Sequence, residues 1–233
     1  MDDLTAEASQ GHNPLLHIEC HGDAQEGLEF SNGSTLEWQA LHGKLVELNQ
    51  TMGLNLVVSI AACYGGYLAD RRGSFDKCGW FGLVAPTEEV GPHELLQGFR
   101  EFYRIFFQEL DAGIALRGLK KLKLSEGEWM SELAEAYFQN VTYGFVVQHC
   151  SPAALKRKVA EQLKRLRGEG AFISSAQVKV KQVELYRKFL LGENFNNYFM
   201  VAQHPQNAQR FAPTKLRIMK ALEELRALHG YSI

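Results

Sequence analysis

Apolar and polar positions alternate in short bursts along the first half of the chain and settle into a helical rhythm in the second half. Leu15 to Cys20 reads as a short strand, after a leader over 1–13 that lacks apolar periodicity and is expected to be mobile. Gly22, Gly27 and Gly33 punctuate the stretch after it as a loop. Leu36, Ala40, Leu41, Leu45 and Leu48 recur at three- and four-residue steps and predict a helix over 35–52, stopped by Gly53. Leu54 to Ala62 is nearly all apolar and rich in β-branched residues, the pattern of a central strand covered on both faces. A Gly/Asp/Arg-rich loop over 64–78 leads to a third strand over 79–86. A long helix is expected over 92–122, with Leu95, Phe99, Phe102, Phe106 and Leu110 on one side. A second is expected over 125–139, opened by the capping-box pair Ser125 and Glu128. Residues 142–148 read as a fourth strand, and helices are expected over 152–167, 175–191 and 214–229.

Strands alternating with helices predict an α/β sandwich around a mostly parallel central sheet, followed by a helical C-terminal region. The chain of 233 residues, 45% of them hydrophobic, can bury a sizeable core. We expect one domain over 1–150 and a basic helical region over 151–233. Charge sharpens that division. Residues 1–150 hold 10 Lys/Arg against 21 Asp/Glu, and residues 151–233 hold 15 against 6, so a formal net charge of −2 conceals an acidic body and a basic tail region. No apolar run is long enough to span a membrane, and the acidic, polar N-terminus lacks the pattern of a secretory signal. The expected location is the cytoplasm, where Cys20, Cys63, Cys78 and Cys150 stay reduced.

In parallel sheets the chemistry gathers beyond the carboxyl ends of the strands. There the first strand ends in His21-Gly22 and the second in Ala62-Cys63. If the strands are neighbours, an imidazole faces a thiol, and a base within reach makes the thiol a strong nucleophile. The backbone N–H groups of Gly22 and Cys63 are natural donors to a developing oxyanion, and a side chain at position 22 would block a substrate carbonyl.

The stretches "LLHIECHGD", "LVVSIAACYGG" and "FYRIFFQELDAGIALRGL", in this order and with Cys63 42 positions after His21, resemble the caspase-like cysteine peptidases of clan CD. Within these the likeness is to the CHAT-type branch, over roughly residues 14–120. The resemblance implies a caspase-like three-layer sandwich and a cysteine protease that hydrolyses a protein or peptide substrate. It implies His21 as catalytic base, Cys63 as nucleophile, Gly22 and Cys63 as oxyanion donors, and His17 in a supporting position. It implies no cofactor. Prokaryotic members of this type act in defence, including antiviral defence, or in cell-death pathways. The chain departs from the family in having no strand and helix before the His strand, which leaves a sheet edge open or covered by a regulatory partner. It also has Ala61 where Arg/Lys-cutting relatives carry Asp, and Tyr64-Gly65 where caspases proper carry Arg-Gly. Neither specificity pocket carries over.

Other uses of these residues compete. Asp23 and Asp70 are candidate substrate-binding carboxylates, with a solvated loop as the plain alternative. A metal site from His17, Cys20, His21 and Cys63 is disfavoured because His17 and Cys20 point to opposite faces of a strand. Cys20, Cys78 and Cys150 read as structural. The basic stretch "LKRKVAEQLKRLRGEG" admits a nucleic-acid partner, although Leu155, Val159, Leu163 and Leu166 form an apolar stripe whose other face would simply be wet. The two functional alternatives to a peptidase are therefore a caspase-like interaction module that does not cut and a nucleic-acid-associated factor using the basic helices.

Overall fold

The apolar run before Cys63 forms a strand buried on both faces, as its lack of alternation requires. The fold is given by a computed structural model that describes residues 2–70, 75–122, 124 and 128–231. In chain order its elements are α1 (Asp2–Ser9), β1 (Leu15–Glu19), β2 (His21–Asp23), β3 (Gly27–Glu29), β4 (Thr35–Leu36), α2 (Trp38–Thr51) and β5 (Val57–Ala61). There follow α3 (Tyr67–Asp70), β6 (Gly82–Pro86), α4 (Pro92–Glu109), α5 (Ala112–Lys121), β7 (Trp129–Leu133) and α6 (Ala134–His149). The remainder is helical: α7 (Pro152–Gly168), α8 (Ser175–Lys188), a π-helical turn (Phe189–Asn194), α9 (Phe195–Tyr198), α10 (Asn207–Arg210) and α11 (Ala212–His229).

The main sheet has the order β1-β5-β6-β7. The pairs β1/β5 and β5/β6 are parallel, and β7 is antiparallel to β6. The fold is thus α/β, with a mixed, mostly parallel four-stranded sheet. One face packs Val57, Ala61 and Val84 against Phe99, Phe102 and Leu116 of α4 and α5. The buried Asn49 of α2 pins two loops: its amide donates to the Cys78 carbonyl at 2.9 Å and accepts from the Leu56 N–H at 2.9 Å. Those bonds hold the start of β5 in place, and with it the strand that ends beside Cys63. No helix among the described residues is long and apolar enough to cross a membrane.

Several elements differ from expectation. The leader is not featureless: α1 forms and buries Ala8. The glycine-punctuated loop is a small antiparallel sheet, β2-β3-β4. The expected helix over 92–122 breaks at Leu110, which takes the left-handed conformation (φ 51°). Asp111 then caps the new helix by accepting from the Ile114 N–H at 2.8 Å. The expected helix over 125–139 is instead a strand, β7, running into α6; Ser125 lies outside the described residues. Pairing with β6 from Gly82↔Leu133 to Pro86↔Trp129, with Ser131 Oγ donating to the Leu116 carbonyl, outweighs the local helical pattern. The apolar run 142–148 is not a strand but part of α6. Phe138, Thr142 and Val146, four residues apart, are all fully buried, which is a helical face.

The chain divides into two compact units, Met1–Tyr137 and Phe138–Ile233. The division falls inside α6, whereas the expected boundary at 150 falls just after that helix ends. In the second unit Leu155, Val159 and Val178 form a core with Leu163 and Leu166, so the apolar stripe of the basic stretch is packing surface. A second core gathers Phe138, Phe195, Tyr198 and Phe199, with Phe199 stacked on Phe211 at 4.3 Å.

Candidate functional site

β1 and β5 run parallel in a register from Leu15↔Val57 to Glu19↔Ala61. The Cys20 N–H, donating to the Ala61 carbonyl at 3.4 Å, extends the pairing one residue further. There the first strand leaves the main sheet, and His21 opens β2 of the small sheet. The strand stops at His21-Gly22 because the chain changes sheets there. An ideal Cβ on Gly22 would lie 2.1 Å from the Cys63 carbonyl oxygen and 3.1 Å from the Ala62 Cβ. Only a glycine backbone can pass so close to Cys63. The two motifs therefore meet at the carboxyl ends of adjacent strands, with His21 the residue before the contact and exposed to solvent.

The turn that carries Cys63 is tightly held. Tyr64 adopts the left-handed conformation (φ 58°), which a bulky side chain enters only when its surroundings impose it. Its N–H donates to the Glu88 carbonyl at 3.2 Å, and the Gly66 N–H donates to the Pro86 carbonyl at 2.8 Å, tying the turn to the end of β6. A side chain at Gly65 would press on Ile60 and Ala85, so the turn also lies flat on the sheet. Burial, and then the neighbouring Glu89 carboxylate, raise the ionisation point of the Tyr64 phenol.

Cys63 is half-buried, and its thiol donates a long, weak hydrogen bond to the Val90 carbonyl at 3.8 Å. The other cysteines sit in quieter places. Burial raises the thiol of Cys20, and that of Cys150 is pushed up to about 12. Cys78 is buried and donates to the Trp80 carbonyl. Such thiols are poor nucleophiles.

His17 lies two residues along the strand from Glu19, and its Nδ1 pairs with the Tyr103 hydroxyl at 2.7 Å. Its ring also meets Phe99 edge-on, with centroids 5.1 Å apart. Burial lowers its ionisation point, and the nearby Glu19 partly offsets this. Burial raises the ionisation point of the Tyr103 phenol, and the neighbouring buried Ser59 hydroxyl only partly offsets this. His17 thus links the outer strand to α4. Tyr103, the partner in this link, carries no distinguishing signal in an aromatic-rich helix.

Asp23 has a task within the small sheet. Its carboxylate accepts from the N–H groups of Gln25 and Glu26 at 2.6 and 2.9 Å, and its carbonyl accepts from the Trp38 indole at 3.0 Å. These bonds shape the turn after His21-Gly22. Asp70 ends α3, and its side chain lies outside the described residues. Among the described residues no group of three or more His, Cys, Asp or Glu is arranged to hold a metal ion. No family model, curated protein or solved structure matches this chain.

Proposed function

We propose that the chain is a caspase-like cysteine endopeptidase with a three-layer caspase-like core, acting through His21 and Cys63. The observation that carries this reading is that the Gly22 backbone passes so near the Cys63 carbonyl, at the carboxyl ends of two parallel strands, that no Cβ would fit between them. The strained, tethered turn after Cys63 supports it, since strain of this kind gathers at functional sites.

In this mechanism His21 takes the proton of the Cys63 thiol, and the sulfur attacks the scissile carbonyl carbon. The N–H groups of Gly22 and Cys63 hold the oxyanion. His21 then gives its proton to the leaving amine, and water hydrolyses the thioester to free the acid and the thiol. Arg/Lys specificity by the family's usual Asp does not arise, because position 61 is Ala. Defence or cell-death signalling under a regulatory protein partner is the setting that the family likeness favours.

Hydrolysis of a peptide library tests the reading. Activity should fall by several orders of magnitude in Cys63→Ala and in His21→Ala. Gly22→Ala should abolish it as well, and overpacking should cost about 1–3 kcal/mol of stability. A competing reading, a scaffold that binds without cutting, draws on one feature: no described strand pairs with the outer side of β1. Absence of hydrolysis, together with iodoacetamide reactivity of Cys63 that His21→Ala leaves unchanged, would favour that scaffold.

A further inference from the structure

The acidic unit, residues 1–137, holds 10 Lys/Arg and 21 Asp/Glu, and the basic unit, residues 138–233, holds 15 and 6. Within the basic unit three hollows follow α8. One of about 330 Å³ is lined by Lys156 of α7 together with Ala176 and Lys179. The next, about 440 Å³, shares Ala176 and Lys179 and adds Val180, Val183, Arg187 and Arg226. The third, about 330 Å³, shares Arg187 and is lined by Gly192 of the π-helical turn and by Met219 and Leu222 of α11. The shared residues join them into one trough along α8 from Ala176 to Gly192.

The trough has an apolar floor and a cationic rim. Val180 and Met219 remain 57% and 39% exposed. Lys158 and Lys188 are paired with Glu161 and Glu193, but Lys156, Lys179, Arg187 and Arg226 make no ion pair with any described residue. Exposed apolar side chains beside unpaired cations suit an occupant that brings an apolar stripe and carboxylates together. The span from Ala176 to Gly192, at 1.5 Å per helical residue, is about 24 Å, room for a helix of about four turns. A nucleic acid strand fits less well. The three linings contain no aromatic side chain for base stacking, and Glu184 and Glu223 interrupt the line of cations.

We propose that this trough binds an acidic, amphipathic helical segment of a partner protein. Its apolar side chains lie on Val180, Val183, Met219 and Leu222, and its carboxylates meet Lys179, Arg187 and Arg226. The proposal stands apart from the peptidase reading and survives or fails without it.

Fluorescence anisotropy with the full chain tests it. The probe is a labelled 16-residue peptide with Leu on one helical face and Glu elsewhere. The comparisons are a peptide of the same composition with the stripe scrambled and a 16-nucleotide single-stranded DNA. The striped peptide should bind at least about tenfold more tightly than either. Arg187→Glu with Arg226→Glu should weaken it about tenfold or more, and so should Val180→Asp, with circular dichroism unchanged; all three positions are exposed. Equal binding of the two peptides, tighter binding of the DNA, no binding at all, or full affinity in the charge-reversed variant would overturn the proposal. Self-association of the chain abolished by the same reversals would also overturn it, by assigning the trough to a second copy.

Discussion

His17 takes up a proton less readily in the folded chain than in the unfolded one, because its ring, though still open to solvent, is partly desolvated against Phe99 and Tyr103, which outweighs the attraction of Glu19. The unfolded chain then binds more protons just below the ordinary value of 6.5. Its contribution to stability is complete above that value and is lost as pH falls through the folded one. His17→Gln should therefore flatten the acid-side slope of stability between about pH 5 and pH 7, read from urea midpoints across that range. An unchanged slope would mean that the imidazole does not couple to folding. At this scale the sequence was legible where chemistry follows chain position. The His-Gly and Ala-Cys ends are both visible as ends of apolar runs. It was silent where chemistry depends on a distant backbone group, as with the Val90 carbonyl that accepts from the Cys63 thiol.

Among elements, the break between α4 and α5 has a measurable cost. Leu110 is 80% exposed and sits in the left-handed region, so its side chain gains little there and its backbone is strained. Leu110→Gly should stabilise the chain by up to about 1 kcal/mol, seen as a higher urea midpoint. A lower midpoint would show that the leucine contributes more than its exposure suggests. The break was hard to read because the three- and four-residue period runs on to Leu110 itself; only Asp111, a good capping residue, marked it. The strand β7 and the helix α6 depart from the local sequence pattern for a related reason. Trp129–Leu133 takes its structure from the edge of β6, and the segment 142–148 takes its helical form from burial at every fourth position. Neither cause is local in sequence. The amphipathic helices of the basic region, which carry their own stripe, were legible nearly to their ends.

For the whole molecule, the two buried thiols report on the two units separately. Cys78 lies in the first unit and Cys150 in the second, and both are buried. Without denaturant both should resist alkylation while Cys63 labels, and Cys20, whose thiol burial raises, should label more slowly than Cys63. With rising urea, mass spectrometry should show Cys78 and Cys150 becoming reactive at the midpoints of their own units. Labelling of Cys150 in the native state would contradict its burial. The opposite charges of the two halves were visible in the sequence, but the place where one ends and the next begins was not, because no glycine- or proline-rich joint marks it. That hidden seam has a practical outcome. Since the division between Tyr137 and Phe138 falls partway along the continuous helix Ala134–His149, a protease finds no exposed joint there to nick. Anyone separating the halves by truncation would have to leave that helix whole on one side, or else sever a run of hydrogen-bonded turns and create two frayed stumps.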